Sequence, residues 1–207
     1  MFGRFPGVGL GDGNLAESVT LSEGLKVCME LSEGVGQGLD HMKQFSVRGK
    51  SVTEYREFLP DAEATGHLGA RLARLLVPGV SVWLAGDLGA GKTCLVRGLL
   101  RALGETGPVK SPTYPLLEMY ELPLAPVYHF DFYRFVSPEA FLETGFETCF
   151  EPPGISLVEW PEKALPYLPP PDLRVALFQE GAGRCALVQG ASPKGEQCLI
   201  HWNPPSL

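Results

Sequence analysis

The pattern of apolar and polar positions separates an irregular N-terminal stretch from a regularly patterned remainder. Glycine occurs five times within the first 13 residues, and little in residues 1–50 alternates with the period of a strand. We therefore predict a poorly ordered, glycine-rich extension over residues 1–50 and a single domain over residues 51–203.

After residue 51 the pattern predicts an edge strand and then an amphipathic helix. Val52, Tyr55 and Phe58 alternate loosely with polar residues, as on a strand at the edge of a sheet. Asp61 is a candidate N-cap for the helix that comes next, and Pro78-Gly79 would end it. The apolar face of this helix has the spacing i, i+4, i+7 and i+8, and is formed by Leu68, Leu72, Leu75 and Leu76.

Further along the chain, short apolar runs predict buried strands, and a helix comes after the first of them. Residues 80–85 are typical of a strand buried on both faces, and a helix is predicted from Lys92 to its C-terminal cap at Gly104. Residues 126–133 and 155–160 predict two more buried strands. After a proline-rich stretch, the tail predicts a hairpin and a last strand, at residues 173–179, residues 185–190 and Leu199-Ile200.

Charge and cysteine content narrow the possible functions. A formal net charge of −7 counts against broad, autonomous binding to nucleic acid, although a partner could still hold the nucleic acid. The five cysteines form no CxxC pair, which is typical of reduced thiols rather than of a disulfide framework or a zinc site. No run approaches the roughly 18 apolar residues of a membrane span, and the first residues lack an apolar signal core. We therefore expect a cytoplasmic protein that does not contact a membrane.

The segment GDLGAGKT, residues 86–93, fits the phosphate-binding pattern G-x-x-x-x-G-K-[ST] and lies between a predicted strand and a predicted helix. Gly86 and Gly91 allow the backbone to curl so that successive N–H groups converge on phosphate oxygens, and the next helix adds its positive end. In such a site Lys92 reaches the β- and γ-phosphates, and the hydroxyl of Thr93 is a ligand for Mg²⁺. The segment and its context therefore predict a P-loop rather than a plain turn.

Two carboxylates are candidates for the metal side of this site. Asp131 and Glu159 each close an apolar run, and a P-loop protein needs a carboxylate at the tip of a neighbouring strand, to hold Mg²⁺ directly or through water. Thr113, between the helix and the next strand, could approach the γ-phosphate. His129, inside an apolar run, is more readily explained as a hydrogen-bonded core histidine than as a ligand. Trp160 could equally border a nucleotide or pack in the core.

Three further segments after the P-loop are distinctive: VKSPTY (109–114), YHFDFYR (128–134) and LVEWPE (157–162). Together with GDLGAGKT, in this order and spacing, they resemble the TsaE family, the bacterial ATPases of tRNA threonylcarbamoyladenosine biosynthesis. The resemblance runs from about residue 51 to residue 200. The four segments together are highly specific, whereas the P-loop alone is shared by very many proteins.

The resemblance implies an α/β fold in which a P-loop NTPase core has a mostly parallel sheet, with antiparallel C-terminal strands. It implies that a domain over residues 51–203 binds ATP or ADP with Mg²⁺ and hydrolyses ATP slowly. The implied partners are TsaD and TsaB, which transfer the threonylcarbamoyl group to an adenosine beside the tRNA anticodon, so that tRNA is reached only through that complex. ATP turnover would support cycling of the complex rather than activate its substrate.

The resemblance also implies roles for individual residues. Thr93 and Glu159 would hold Mg²⁺, and Lys92, Asp131 and Thr113 would act at the γ-phosphate, Asp131 by orienting water or metal. The residues that would wrap the phosphates are Leu88, Gly89, Ala90, Gly91, Lys92 and Thr93. The remaining nucleotide contacts would come from Ala62, at the start of the first helix near the base, from Cys94, and from Arg184, which is otherwise a solvated charge of the hairpin.

Cys94 departs from the family pattern, which usually has a second threonine at this position. Because a thiol is a weaker hydrogen-bond donor than a hydroxyl, we expect a lower affinity for nucleotide.

Two alternative functions stay open at this point. One is a small-molecule kinase, although such kinases usually carry an arginine-bearing helical lid in the region where this chain is proline-rich and strand-like. The other is an adaptor that binds nucleotide and does not hydrolyse it. A guanine-specific GTPase is disfavoured because the chain has no N-K-x-D motif.

Overall fold

The computed structural model of the chain describes residues 42–47, 50–200 and 202. The strands within these residues are β1 (Met42–Val47), β2 (Lys50–Leu59), β3 (Ser81–Ala85), β4 (Leu117–Glu121), β5 (Pro126–Asp131), β6 (Ile155–Glu159), β7 (Leu173–Glu180) and β8 (Gly183–Gly190). The helices are α1 (Ala62–Ala73), α2 (Lys92–Leu103) and α3 (Pro193–Leu199), with 3₁₀ helices at Pro138–Glu143, Phe146–Phe150 and Pro161–Ala164. No helix among the described residues has the length and apolar character needed to cross a membrane.

The strands form one sheet in the order β1-β2-β8-β7-β3-β6-β5-β4. The four central strands, β7, β3, β6 and β5, run parallel to one another. Antiparallel strands flank this core, with β8, β2 and β1 on one side and β4 on the other. The predicted α/β fold, with a parallel core and antiparallel C-terminal strands, is confirmed.

Capping residues determine where α1 and α2 begin and end. The Asp61 carboxylate accepts a hydrogen bond from the Ala64 amide at 2.8 Å, which fixes the start of α1. α2 begins at Lys92, directly after the glycine-rich loop, and ends at Leu103, where Gly104, with a φ of 109°, forms a left-handed cap. Both helices were predicted, although α1 ends at Ala73, before the expected stop at Pro78-Gly79.

Three segments differ from what the sequence led us to expect. The predicted strand at Leu199-Ile200 is wrong, because α3 ends there and Ser192 caps its start by accepting a hydrogen bond from the Gly195 amide at 3.1 Å. β2 is not an edge strand, since it pairs with β8 on one side and with β1 on the other. β4 was not predicted, because its sequence LEMYE contains no apolar run and its pairing with β5 is what defines it.

Most of the extension predicted over residues 1–50 lies outside the described residues. Its described part, β1 together with the first residue of β2, is antiparallel sheet in which Met42 lies opposite Tyr55 and Val47 lies opposite Lys50. The boundary expected at residue 51 therefore falls within a pair of strands.

Helices α1 and α2 approach each other closely enough for glycine to be required at the contact. A Cβ atom at Gly69 would overlap the carbonyl oxygen of Leu95, and a Cβ atom at Gly98 would overlap that of Gly66. Leucines fill the rest of this contact and are excluded from solvent, namely Leu68, Leu72, Leu95 and Leu99. The close approach fixes the position of α2, and with it the loop from which α2 begins.

We predict that Gly69→Ala lowers the free energy of unfolding by about 1–3 kcal/mol, because the added methyl group overlaps the backbone of α2. Gly66→Ala is the matched control: it lies in the same helix, its Cβ would meet nothing within 4 Å, and it should stabilise the fold by about 0.5–1 kcal/mol. Urea denaturation of both variants measures the difference. Equal midpoints for the two variants would contradict the backbone contact.

Candidate functional site

The loop between β3 and α2 has a backbone that only glycine readily adopts at three of its positions. Gly86, Gly89 and Gly91 have φ values of 137°, 81° and 104°. Gly91 is also the N-cap of α2 and makes no side-chain cap bond, so no capping side chain covers the amides of the first helical turn. The loop therefore has the geometry of an anion cradle at a helix N-terminus, as the sequence predicts.

The Lys92 side chain lies over this loop and is 4% exposed. Its Nζ atom donates to the carbonyl oxygens of Gly86 at 2.5 Å and Asp87 at 3.0 Å, and lies 4.0 Å from the ring centroid of Trp160. Burial lowers the pKa of Lys92, while nearby carboxylates, chiefly that of Glu159, oppose the shift. The loop thus contains a largely desolvated cation, which is suited to binding an anion.

Thr93 and Glu159, the two predicted metal ligands, are in direct contact. The Thr93 hydroxyl donates to Glu159, with Oγ1 lying 2.9 Å from Oε1 and 3.2 Å from Oε2. Glu159 ends β6 and is 3% exposed. The Nε2 atom of His129 lies 2.9 Å from the same Oε1. His129 is completely buried, so the prediction of a hydrogen-bonded core histidine is confirmed.

Asp131 ends β5 and is the centre of a second group of polar side chains. Its Oδ2 atom accepts hydrogen bonds from the hydroxyl groups of Thr113, at 2.8 Å, and Ser111, and its Oδ1 accepts from the Tyr133 amide at 3.0 Å. Asp131 and Glu159 are register partners of parallel strands. The two predicted carboxylates therefore lie side by side, with Thr93 bonded to Glu159 and Thr113 bonded to Asp131.

Three other predicted site residues lie around the loop. Arg184, from β8, donates through Nη1 to the carbonyl oxygen of Ala90 at 3.1 Å. Cys94, in the first turn of α2, donates through its thiol to the carbonyl oxygen of Ala62 at 3.1 Å. These contacts hold the start of α1 and the C-terminal hairpin against the loop.

A cleft of about 510 Å³ collects most of the predicted residues, and its volume is in the usual range for a small-molecule site. The predicted residues that line it are Leu88, Gly89, Gly91, Lys92, Thr93, Cys94, Thr113, Asp131 and Glu159. Ala62, Ala90 and Arg184 are not among the lining residues. Trp160 borders the cleft and also packs against the core beneath it.

Sequence reasoning did not assign four residues that line the cleft: Ser111, Tyr114, Tyr133 and Arg134. Ser111, which bonds to Asp131, stands two positions before Thr113 in the SPT segment, so the segment that drew attention to Thr113 contained the signal. Tyr114, Tyr133 and Arg134 flank predicted residues in the sequence. Their place in the cleft depends on how the 109–116 segment packs against the end of β5.

Comparison with known proteins gives concordant matches. The family model of the threonylcarbamoyl adenosine biosynthesis protein TsaE matches residues 59–187. The chain is 40% identical over 131 residues to the TsaE protein of Haemophilus influenzae, covering 61% of this chain and 81% of that protein. It is 46% identical over 115 residues to the TsaE protein of Synechocystis sp., covering 54% of this chain and 73% of that protein. The crystal structure of Bacillus subtilis YdiB matches with a TM-score of 0.63 at 26% identity, covering 72% of this chain and 93% of that one.

The family match contains the glycine-rich loop, both strand-end carboxylates and Arg184, so it spans the residues that form the cleft. More than half of the chain lies within the match. The chain therefore belongs to the TsaE family of threonylcarbamoyl adenosine biosynthesis proteins.

Proposed function

We propose that this chain binds ATP and ADP with Mg²⁺ and hydrolyses ATP slowly, in support of threonylcarbamoyladenosine formation in tRNA. Its partners in this role would be TsaD and TsaB, with tRNA reached through their complex. The observation that carries the proposal is the assembly of Lys92, Thr93, Glu159 and Asp131 around one cleft at the carboxyl ends of parallel strands.

The available oxygen ligands fit Mg²⁺ better than a metal whose ligands must all come from protein side chains. The described part of the chain contains no cluster of three or more His, Cys, Asp or Glu side chains that could hold a metal. Mg²⁺ is usually held by one or two oxygen ligands from the protein, together with phosphate and water. The hydroxyl of Thr93 and the buried carboxylate of Glu159, which touch each other, would supply those ligands. When bound, the ion neutralises negative charge on the phosphates.

The remaining residues divide into those that bind the phosphates and those that act on the reaction. The amides of the loop and the Lys92 ammonium would hold the phosphates and offset the charge that develops during hydrolysis. Asp131 would orient the attacking water. Its hydrogen bonds to Ser111 and Thr113 hold its carboxylate at the cleft, and Thr113 would respond to the γ-phosphate from there.

The segment after β6 favours hydrolysis over phosphate transfer to a metabolite. The described residues from 161 to 190 form a short 3₁₀ helix and the β7–β8 hairpin, and contain no lid helix. A kinase must exclude water from its transferred phosphate, and these residues supply no helix that would do so.

Measuring inorganic phosphate release from ATP tests the enzymatic part of the proposal. Lys92→Met should abolish both nucleotide binding and turnover, because the buried cation is removed. Asp131→Asn should keep ADP binding within about threefold and lower turnover by roughly 10²-fold, because the group that orients water is lost. A phosphorylated metabolite as product would indicate a kinase. Nucleotide binding without any turnover would indicate an adaptor.

Adding purified TsaD and TsaB to the same assay tests the partnership. We expect phosphate release to increase at least about tenfold when both proteins are present, and the increase to be absent in Lys92→Met. A rate that the two proteins leave unchanged would count against the partnership while leaving the ATPase itself in place.

Replacing Cys94 by threonine tests the effect of the thiol on affinity. Cys94 lines the cleft in the first turn of α2, and a hydroxyl donates a stronger hydrogen bond than a thiol. Cys94→Thr should therefore tighten ADP binding by about fivefold, equivalent to roughly 1 kcal/mol, as measured by calorimetry. Cys94→Ala is the control and should not tighten it. Equal tightening in both variants would show that the hydroxyl is not responsible.

A further inference from the structure

We infer that His129 is a positioning residue for the metal site: it fixes the Glu159 carboxylate in the orientation in which Glu159 meets Thr93. This inference rests on the proposed function, because it gives His129 a role in preparing the Mg²⁺ ligands. The underlying contact is the 2.9 Å approach of His129 Nε2 to Glu159 Oε1, between side chains that are 0% and 3% exposed.

The strand register explains why this histidine reaches Glu159. β5 and β6 are parallel, and His129 lies opposite Leu157, two residues before Glu159. Side chains at positions i and i+2 of a strand point to the same face, so His129 and Glu159 are diagonal neighbours on one face of the sheet. The imidazole ring spans that diagonal. A shorter polar side chain could not place a donor at the same point.

The two oxygens of Glu159 have different hydrogen-bond partners. Oε1 is approached by both His129 and Thr93 at 2.9 Å, whereas Oε2 is approached by Thr93 at 3.2 Å. His129 contacts only Oε1, so it orients the carboxylate without occupying Oε2, which has just the longer contact to Thr93. Hydrogen-bonded supports of this kind orient metal ligands, and their loss commonly weakens metal binding by about 10–100-fold.

The second ring nitrogen of His129, Nδ1, supports a hydrogen bond in which Nε2 donates and Glu159 accepts. Nδ1 is buried, and no described residue offers it a hydrogen-bond partner. A carboxylate that serves as a metal ligand can only accept, so in that role of Glu159 the hydrogen between the two side chains is carried by Nε2. In a neutral ring whose hydrogen is on Nε2, Nδ1 is an acceptor and carries no hydrogen. The arrangement therefore matches the tautomer that is protonated at Nε2.

A pair of substitutions separates positioning from simple core packing. In His129→Gln the side-chain amide can reach the position of Nε2, whereas in His129→Asn it ends near the position of Nδ1. Both replacements are polar, uncharged and smaller than histidine, so a purely structural role predicts similar effects for both. A positioning role predicts that the metal site is retained in His129→Gln and weakened in His129→Asn.

The experiment measures ADP affinity in EDTA and then as a function of Mg²⁺ concentration, using the full chain. For His129→Asn we expect a rise of about tenfold in the Mg²⁺ concentration that produces half of the Mg²⁺-dependent change in ADP affinity. ADP affinity in EDTA should stay within about twofold of the wild type. For His129→Gln we expect the Mg²⁺ requirement to stay within about threefold of the wild type. Equal changes in both variants, or a loss of ADP binding in EDTA, would overturn the positioning role.

The same data distinguish a failure of this inference from a failure of the proposed function. A wild-type chain that binds ADP with no response to Mg²⁺ would overturn the metal site, and the inference with it. A wild-type chain that responds to Mg²⁺, combined with equal effects of the asparagine and glutamine variants, would overturn the inference alone.

Nuclear magnetic resonance of ¹⁵N-histidine in the metal-free wild type decides the case if the variants do not fold. We expect the His129 ring to carry its hydrogen on Nε2, and we expect this signal to shift in Glu159→Gln. A ring protonated only at Nδ1, or an Nε2 signal that is unchanged by Glu159→Gln, would overturn the inference without any measurement of activity.

Discussion

The register of three parallel strands determines where the residues of the candidate site lie. Glu159 on β6 lies opposite Leu84 on β3 and opposite Asp131 on β5. Because the strands are parallel, their carboxyl ends meet at one edge of the sheet, and the loop that leaves β3 begins two residues after Leu84. The loop, the two carboxylates and the first turn of α2 are therefore brought together by main-chain pairing. A shift of β6 by one residue would turn Glu159 to the other face of the sheet.

This arrangement buries charge, which is costly unless each charge has partners. Lys92, Asp131 and Glu159 are each no more than 4% exposed. Carbonyl oxygens of the loop surround Lys92, hydroxyl groups and an amide surround Asp131, and a hydroxyl and an imidazole surround Glu159. The side chains that a magnesium nucleotide would use are thus already held in place by other contacts.

Local sequence patterns made the central part of the fold predictable, whereas the pairing of strands that are distant in the sequence could not be predicted. The strand, loop and helix around Gly86 to Thr93 are explained by an apolar run, glycines and a capping residue, all within a short segment. β4 and the interior position of β2 depend on distant partners, which no short window contains. At α3 the strand predicted from the apolar residues is wrong, although Ser192 before a proline is a helix-start signal that the sequence does contain.

The candidate site also combines residues that local sequence patterns mark with contacts that depend on distant residues. Lys92, Thr93, Asp131 and Glu159 could be found because a motif or the end of an apolar run marks each of them. The bond between His129 and Glu159 joins residues 30 positions apart, and the bond between Ser111 and Asp131 joins residues 20 positions apart. Their geometry depends on strand register and loop packing, so these supporting contacts became visible only in three dimensions.

The backbone contact between α1 and α2 has a consequence for how the residues around the cleft are anchored. Gly69 and Gly98 allow these two helices to touch without intervening side chains, and the thiol of Cys94 links them again at their N-terminal ends. The glycine-rich loop before α2 and the start of α1 thus both belong to one pair of packed helices. Thr113, by contrast, is joined to the end of β5 through hydroxyl hydrogen bonds. The lining residues of the cleft are therefore anchored in two ways, some to a pair of helices in backbone contact and Thr113 to the end of a strand through side-chain hydrogen bonds.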